Sequence, residues 1–135
     1  MDLGLEGDVA LVSASSSGLG KASARALAVE GCNVVINGRD EEKIKGTVSG
    51  LREVASGEVI GKKADITDKN DIEYLVDSTV DEFGGLDHLV TSAGGPPSGP
   101  FLGTDDSDWH QSFDLLVMSV VRLVRESYDH LKADG

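Results

Sequence analysis

Short apolar runs alternate with amphipathic segments along the chain, and this alternation is the strongest structural signal in the sequence. Four runs are typical of buried strands, at 9–12, 33–37, 58–64 and 86–91. Between them, apolar residues recur at helical spacing in the segments 18–30, 40–55 and 68–84. A last, long helix is predicted from about residue 105 to residue 131.

Strands that alternate with helices favour right-handed crossovers and a parallel sheet with helices on both faces. The pattern therefore predicts an α/β fold of the Rossmann type, a doubly wound parallel sheet with strand order 3-2-1-4. A ligand is expected in the crevice beside strands 1 and 4. The 135 residues are expected to form one domain.

Composition and charge exclude several classes of function. The formal net charge of -12 argues against nucleic-acid binding, which needs basic residues to neutralise phosphates. No apolar run approaches the roughly 18 residues of a membrane span, and the first residues do not resemble a secretory signal, so a cytoplasmic protein is expected. The acid excess fits an ordinary acidic surface or adaptation to a salt-rich cytoplasm equally well. Cys32 is the sole cysteine, and no metal site is predicted.

The turn after the first strand, residues 13–20, is rich in serine and glycine. Gly18 and Gly20, on either side of Leu19, would let the backbone approach a pyrophosphate closely. The N–H groups and the dipole of the helix that begins here favour an anion. The hydroxyl groups of Ser13, Ser15 and Ser17 would add hydrogen-bond donors.

With this loop set between a strand and a helix, the sequence resembles the short-chain dehydrogenase/reductase family. The family motif Thr-Gly-x-x-x-Gly-x-Gly is matched by Ser13, Ala14, Gly18 and Gly20. Alanine in place of the first glycine is harmless only if Ala14 has a negative φ. The resemblance extends over residues 5–131. It implies an adenine contact at Asp65 and Ile66, and it places Thr91, Ser92, Ala93 and Gly94 at an Asn-Asn-Ala-Gly motif that has lost both asparagines.

The residues after the second strand indicate which dinucleotide binds. Gly38 stands where NAD-dependent enzymes usually carry an acid, and Arg39 follows it. By similarity to NADP-dependent members, Arg39 is predicted to bind the 2′-phosphate, assisted by Ser17 and Asn37, so NADP is favoured over NAD. The alternative is a solvated loop arginine that pairs with Asp40 or Glu42. The predicted cofactor-binding residues are Ser13, Ser15, Ser17, Gly18, Leu19, Gly20, Asn37, Arg39, Asp65, Ile66, Ser92, Ala93 and Gly94.

The resemblance also implies that the family's catalytic residues are missing from this sequence. In the family, a tyrosine, a lysine four residues later and an upstream serine act on the carbonyl, on a fifth strand and the helix after it. Tyr128 and Lys132 match the Tyr-x-x-x-Lys spacing only, and Leu116 replaces the family's usual helix asparagine. No catalytic residue is therefore predicted.

The chain is expected to be the incomplete, cofactor-binding part of an oxidoreductase that acts on a small carbonyl or alcohol, similar to 3-oxoacyl-carrier-protein reductases. Alone, it is expected to be inactive. A non-catalytic dinucleotide-binding module and a truncated, inactive fragment remain as alternatives.

The last helix is apolar on more than one face. Such a helix needs cover on two sides, so a homo-oligomer formed through residues 105–131 is predicted. Trp109 and Phe113 are interpreted as packing anchors in its first turns, and strand 4 is expected to be an open sheet edge. The acidic residues Asp105, Asp106 and Asp108 are interpreted as a helix start rather than a cation site.

Overall fold

A computed structural model of the chain describes residues 1–134, with the backbone alone for Lys132 and Asp134. The strands are β1 (Val9–Val12), β2 (Asn33–Gly38), β3 (Val59–Lys63) and β4 (His88–Val90). The helices are α1 (Gly18–Val29), α2 (Glu41–Arg52), α3 (Lys69–Phe83), α4 (Asp106–Phe113) and α5 (Ser119–Asp134). A short 3₁₀ turn covers Phe101–Gly103 and a π-helical turn covers Asp114–Met118.

The four strands form one parallel sheet in the order β3-β2-β1-β4, which confirms the Rossmann-type prediction. β1 lies at the centre, where Leu11 is in register with Val35 of β2 and Leu89 of β4. In the described residues β4 is an edge of the sheet and is only three residues long. This order opens a crevice beside the carboxyl ends of β1 and β4.

Two apolar layers hold the helices against the sheet. On one face, Ala10 and Val12 of β1 pack with the buried residues of α1 and α2. On the other face, Leu11 and Val35 pack with α3 and with Leu123 of α5. Successive strand residues point to opposite faces of the sheet, and helices cover both faces. Every position of β1 is therefore buried, and the strand is a continuous apolar run. Cys32 is fully buried in the first layer, where burial raises the pKa of its thiol.

The predicted long helix is present from Asp106 onwards, but it contains one π-helical turn. Residues 114–118 form this turn between α4 and α5, and the sequence reasoning did not predict it. The hydroxyl group of Ser119 donates a hydrogen bond to the Leu115 carbonyl at 2.5 Å. Arg122 Nη1 contacts both Asp114 Oδ1 and the Thr67 carbonyl at 3.1 Å. The turn is thereby tied to the loop that follows β3.

The outer side of α4 and α5 is an apolar surface. Trp109 and Phe113 are 57% and 55% exposed. The sequence-based interpretation of these residues as packing anchors is therefore wrong within this chain. The other exposed apolar residues of this surface are Leu116, Val117, Val120, Val121, Val124 and Tyr128. No helix in the described part of the chain is long and apolar enough to cross a membrane.

Candidate functional site

A cleft of about 440 Å³ opens where β1, β2 and β4 end. Its walls come from the loop before α1, the start of α2, the segment after β3 and the segment after β4. The lining residues are Ala14, Ser16, Ser17, Gly18, Leu19, Gly20, Asn37, Gly38, Arg39, Asp40, Lys43, Ala64, Asp65, Ile66, Ser92, Ala93, Gly94, Gly95 and Leu115.

The amino terminus of α1 lies in this cleft without a side-chain cap. Ser17 occupies the N-cap position, but its hydroxyl group accepts no hydrogen bond from the helix. By contrast, α2, α3 and α4 are capped by the carboxylates of Asp40, Asp68 and Asp105. The first N–H groups of α1 therefore remain available for an anion, and the helix dipole favours one there. The cap at Asp105 also confirms that the acidic cluster is a helix start.

Two of the three predicted serines build the loop instead of lining the cleft. Ser13 is fully buried, and its hydroxyl group donates to the Ser92 carbonyl at 2.6 Å and accepts from the Ser92 N–H at 2.8 Å. Ser15 is also fully buried, and its hydroxyl group donates to the Val12 carbonyl at 2.7 Å and accepts from the Asn37 N–H at 2.9 Å. Ser17 is exposed and lines the cleft, as does Ser16, which the sequence reasoning did not single out.

Asn37 borders the cleft, but its side chain is only 1% exposed and is engaged by the protein. Its Oδ1 accepts from the Ala14 N–H at 3.0 Å. Its Nδ2 donates to the carbonyls of Lys62 and Ala64, each at 3.2 Å. The side chain thus joins the loop after β1 to the end of β3. In this arrangement its amide positions the backbone of the cleft and has no free donor for a 2′-phosphate.

The loop comes very close to α1 at Gly20. A Cβ atom on this residue would collide with the Ala14 carbonyl group and lie 3.0 Å from Ser15 Cα. Glycine is therefore required for the helix to start against the loop. Ala14 itself has a φ of 46°, in the left-handed region that disfavours residues with a Cβ. The negative φ that would make alanine harmless here is not found.

We expect Ala14→Gly to stabilise the fold by roughly 0.5 kcal/mol, because relief of left-handed strain outweighs the greater freedom of glycine in the unfolded chain. Urea unfolding followed by circular dichroism measures the change. Ala22→Gly is the control, since Ala22 is an exposed residue inside α1, and it should lose roughly 0.5–1 kcal/mol. A loss of stability in both variants would contradict the assigned strain at Ala14.

Arg39 and Asp65 bring opposite charges to the cleft wall. In the described residues Arg39 forms no ion pair, so the pairing with Asp40 or Glu42 that was the alternative is not seen. Asp65 Oδ1 accepts from the Thr67 hydroxyl group at 2.7 Å and from the Thr67 N–H at 2.9 Å. The hydroxyl hydrogen bond lowers the pKa of Asp65, opposed by partial burial and assisted by the Thr67 N–H and the Arg39 charge. Asp65 is thus a carboxylate at neutral pH, with Oδ2 free of hydrogen bonds among the described residues.

The cleft gathers most of the predicted residues: Ser17, Gly18, Leu19, Gly20, Asn37, Arg39, Asp65, Ile66, Ser92, Ala93 and Gly94. Lys43 and Leu115 also line it and were missed. The signal for Lys43 was its place one turn after the Asp40 cap, since helical side chains tilt towards the amino terminus. Tyr128 is 58% exposed on α5 and does not line the cleft, and the side chain of Lys132 lies outside the described residues.

These features of sheet order and loop agree with a known protein family. The family model described as short chain dehydrogenase matches residues 8–135. The chain belongs to this family. Members of this family are oxidoreductases that bind NAD or NADP and act on small carbonyl or alcohol substrates.

Individual relatives match over nearly the whole chain. The uncharacterized oxidoreductase YvrD of Bacillus subtilis (strain 168) is 35% identical over 125 residues, which are 93% of this chain and 46% of that protein. Subunit BbsD of the (2S)-[(R)-hydroxy(phenyl)methyl]succinyl-CoA dehydrogenase of Thauera aromatica is 32% identical over 129 residues, 96% of this chain and 52% of that protein.

Among solved structures, L-sorbose reductase from Gluconobacter frateurii, complexed with NADPH and L-sorbose, aligns with a TM-score of 0.93 at 32% identity. The alignment covers 98% of this chain and 51% of the reductase. The chain thus spans about half the length of the relatives it matches.

Proposed function

We propose that these residues are the NADP(H)-binding part of a short-chain oxidoreductase that reduces a carbonyl group or oxidises an alcohol. The observation that carries the proposal is the uncapped amino terminus of α1, which opens into a cleft that also holds Arg39, a residue without an ion pair among the described residues. One feature suits a pyrophosphate and the other suits a second phosphate at the adenosine end.

The residues of the cleft fit the parts of the dinucleotide in order. We assign the pyrophosphate to the start of α1 and the 2′-phosphate to Arg39 with Ser17. The adenine is assigned to Asp65 and Ile66, because the free carboxylate oxygen of Asp65 can accept from an amino group. The segment Ser92 to Gly94 and Leu115 then border the nicotinamide, which supplies the hydride when the cofactor is bound.

Gly38 supports NADP over NAD. A Cβ atom on this residue would lie 2.9 Å from Ser16 Oγ, so an acid at this position requires the Ser16 side chain to turn away. An acid would also repel a 2′-phosphate, whereas the guanidinium group of Arg39 can bind it with two hydrogen bonds. The neighbouring carboxylate of Asp40 is held by the N–H groups of Glu42 and Lys43.

We further propose that this chain alone does not transfer hydride. The described residues that line the cleft include no tyrosine or histidine that could supply a proton to a carbonyl oxygen. The substrate class remains a small carbonyl or alcohol, with a 3-oxoacyl thioester as one candidate. The apolar surface of α4 and α5 supports a homo-oligomer in which a second copy of the chain covers this surface, since large exposed apolar patches mark interfaces.

Arg39→Ala tests the cofactor assignment. We expect the affinity for NADPH to fall about thirtyfold, because a charge-assisted hydrogen-bonded contact is lost, while the affinity for NADH changes less than about twofold. Both values come from titrations that follow nicotinamide fluorescence. The control is Arg25→Ala, since Arg25 lies exposed on α1 outside the cleft. Equal affinities of the unmodified chain for NADPH and NADH would reject NADP as the preferred cofactor.

A further inference from the structure

Lys43 lies in the first turn of α2 and lines the same cleft as Arg39 and Ser16. Its backbone N–H donates to Asp40 Oδ1 at 3.2 Å, which fixes the position from which the side chain extends. Helical side chains lean towards the amino terminus of their helix, and here that direction leads into the cleft. The residue is exposed, so its ammonium group is accessible to a ligand.

Within the described residues Lys43 forms no ion pair, although Glu41 and Glu42 precede it directly. A cation in the first turn of a helix also opposes the helix dipole. The carboxylate of Asp40, which also lines the cleft, caps the start of α2. An unpaired positive charge at this position can attract and bind a multiply charged anion in the cleft.

Lys45, two residues further along α2, shows the contrasting arrangement. Its Nζ lies 3.5 Å from Glu42 Oε1, in an exposed ion pair. It borders a separate groove with Ile44, Val48 and Gly61, and does not line the cofactor cleft. The two lysines thus share a helix, a charge and solvent exposure, and they differ in the surface that they face.

We propose that Lys43 is a second cation for the 2′-phosphate and a determinant of specificity for NADP, an inference that rests on the proposed function. Arg39 and Lys43 would then contact the phosphate dianion from the end of β2 and from the first turn of α2. A dianion with two cationic partners gains more than a neutral hydroxyl group does from either. Lys43 therefore adds affinity for NADPH and leaves the affinity for NADH unchanged.

The test compares Lys43→Gln with Lys45→Gln in the 135-residue chain, with NADPH and NADH as the probes. We expect Lys43→Gln to weaken NADPH binding about fivefold and to change NADH binding less than about twofold, the scale of one exposed charge contact. Lys45→Gln should change neither affinity. Lys43→Arg should bind NADPH within about twofold of the unmodified chain, because it keeps the charge. Circular dichroism confirms that each variant is folded.

The pH dependence of the effect gives a readout that a purely structural role would not move. A phosphate monoester loses its second proton near pH 6, so the ligand has less charge at pH 5.5 than at pH 7.5. The loss caused by Lys43→Gln should therefore be smaller at about pH 5.5 than at about pH 7.5. Equal losses in Lys43→Gln and Lys45→Gln would overturn the role of Lys43.

The two proposals fail in distinguishable ways. If Arg39→Ala weakens NADPH binding and Lys43→Gln does not, the role of Lys43 is wrong and the proposed function stands. If the unmodified chain binds NADH as tightly as NADPH, the assignment of NADP is wrong and the role of Lys43 falls with it.

Discussion

Asn37→Leu should destabilise the fold by about 3–5 kcal/mol, one of the largest effects expected of any single substitution. The leucine has a similar branched shape but is larger, and it removes the partner of the Ala14 N–H and of the Lys62 and Ala64 carbonyls. These backbone groups are held in a region where the replaced side chain was 1% exposed, so water replaces the lost hydrogen bonds poorly. Urea unfolding followed by circular dichroism measures the loss.

The other end of β2 provides the control. Asn33 also bonds to neighbouring backbone, through Oδ1 to the Glu58 N–H at 2.9 Å, but it is partly exposed. Asn33→Leu should therefore cost less than about 1.5 kcal/mol, since water can replace the lost partner. Similar losses at the two positions would contradict the structural role given to Asn37.

A second variant at the same position adds a dependence on pH. Asn37→Asp keeps an acceptor for the Ala14 N–H but turns its other oxygen towards two carbonyl groups. The neutral acid is favoured there, so the pKa in the folded state is raised. Relative to the unmodified chain, this variant should be least impaired below pH of about 4 and should lose stability as the pH rises through the raised pKa.

Gly20→Ala is expected to cost at least about 3 kcal/mol and to abolish dinucleotide binding, because the methyl group collides with backbone that cannot turn away. The loop and the start of α1 must separate, and this displaces the N–H groups that face the cleft. Thermal unfolding and NADPH titration report the two effects.

Gly46→Ala is the matched control for this substitution. Gly46 lies exposed inside α2, and a Cβ atom there meets nothing within 4 Å. The variant should gain about 0.5–1 kcal/mol from the higher helix propensity of alanine, with NADPH binding unchanged. A Gly20→Ala protein with unaltered unfolding temperature and affinity would show that the close approach of loop and helix is not required.

The sheet could be predicted because each of its strands has a similar apolar sequence pattern. A parallel strand covered by helices on both faces buries every residue, so it appears in the sequence as an unbroken apolar run such as that of β1. The four strands and their order follow from such runs and from the handedness of crossovers. The boundaries of β3 and α2 differ from the predictions by a few residues, where the ends are partly exposed.

The π-helical turn between α4 and α5 could not be predicted in this way. A helical projection assumes about 100° per residue throughout, and one wider turn rotates all later positions relative to the earlier ones. The apolar residues nevertheless lie on two faces of the helix, as the sequence predicted. In the structure, Leu123 is buried while Phe113 and Val124 are exposed. The hydrogen bond from Ser119 to Leu115 belongs to this turn and has no signature in composition or spacing.

The candidate site could be located from the sequence, but the tasks of its side chains could not. A serine in a glycine-rich loop can face a ligand or the protein, and only the backbone path decides which. Ser13 and Ser15 face inwards, whereas Ser16 and Ser17 border the cleft. The similarity to NADP-dependent enzymes predicts Asn37 as a phosphate contact, yet all three of its amide hydrogen bonds are internal.

The reciprocal hydrogen bonds between Ser13 and Ser92 have a consequence for engineering. They fasten the segment after β4 at its first residues, whereas the hydrogen bonds found in the following loop, 94–103, stay within it and Thr104. Among the described residues the loop is therefore held at its root and forms no hydrogen bond to the sheet. If the proposed function is correct, exchanging it for the corresponding loop of a relative should change substrate preference and leave the affinity for the dinucleotide unchanged.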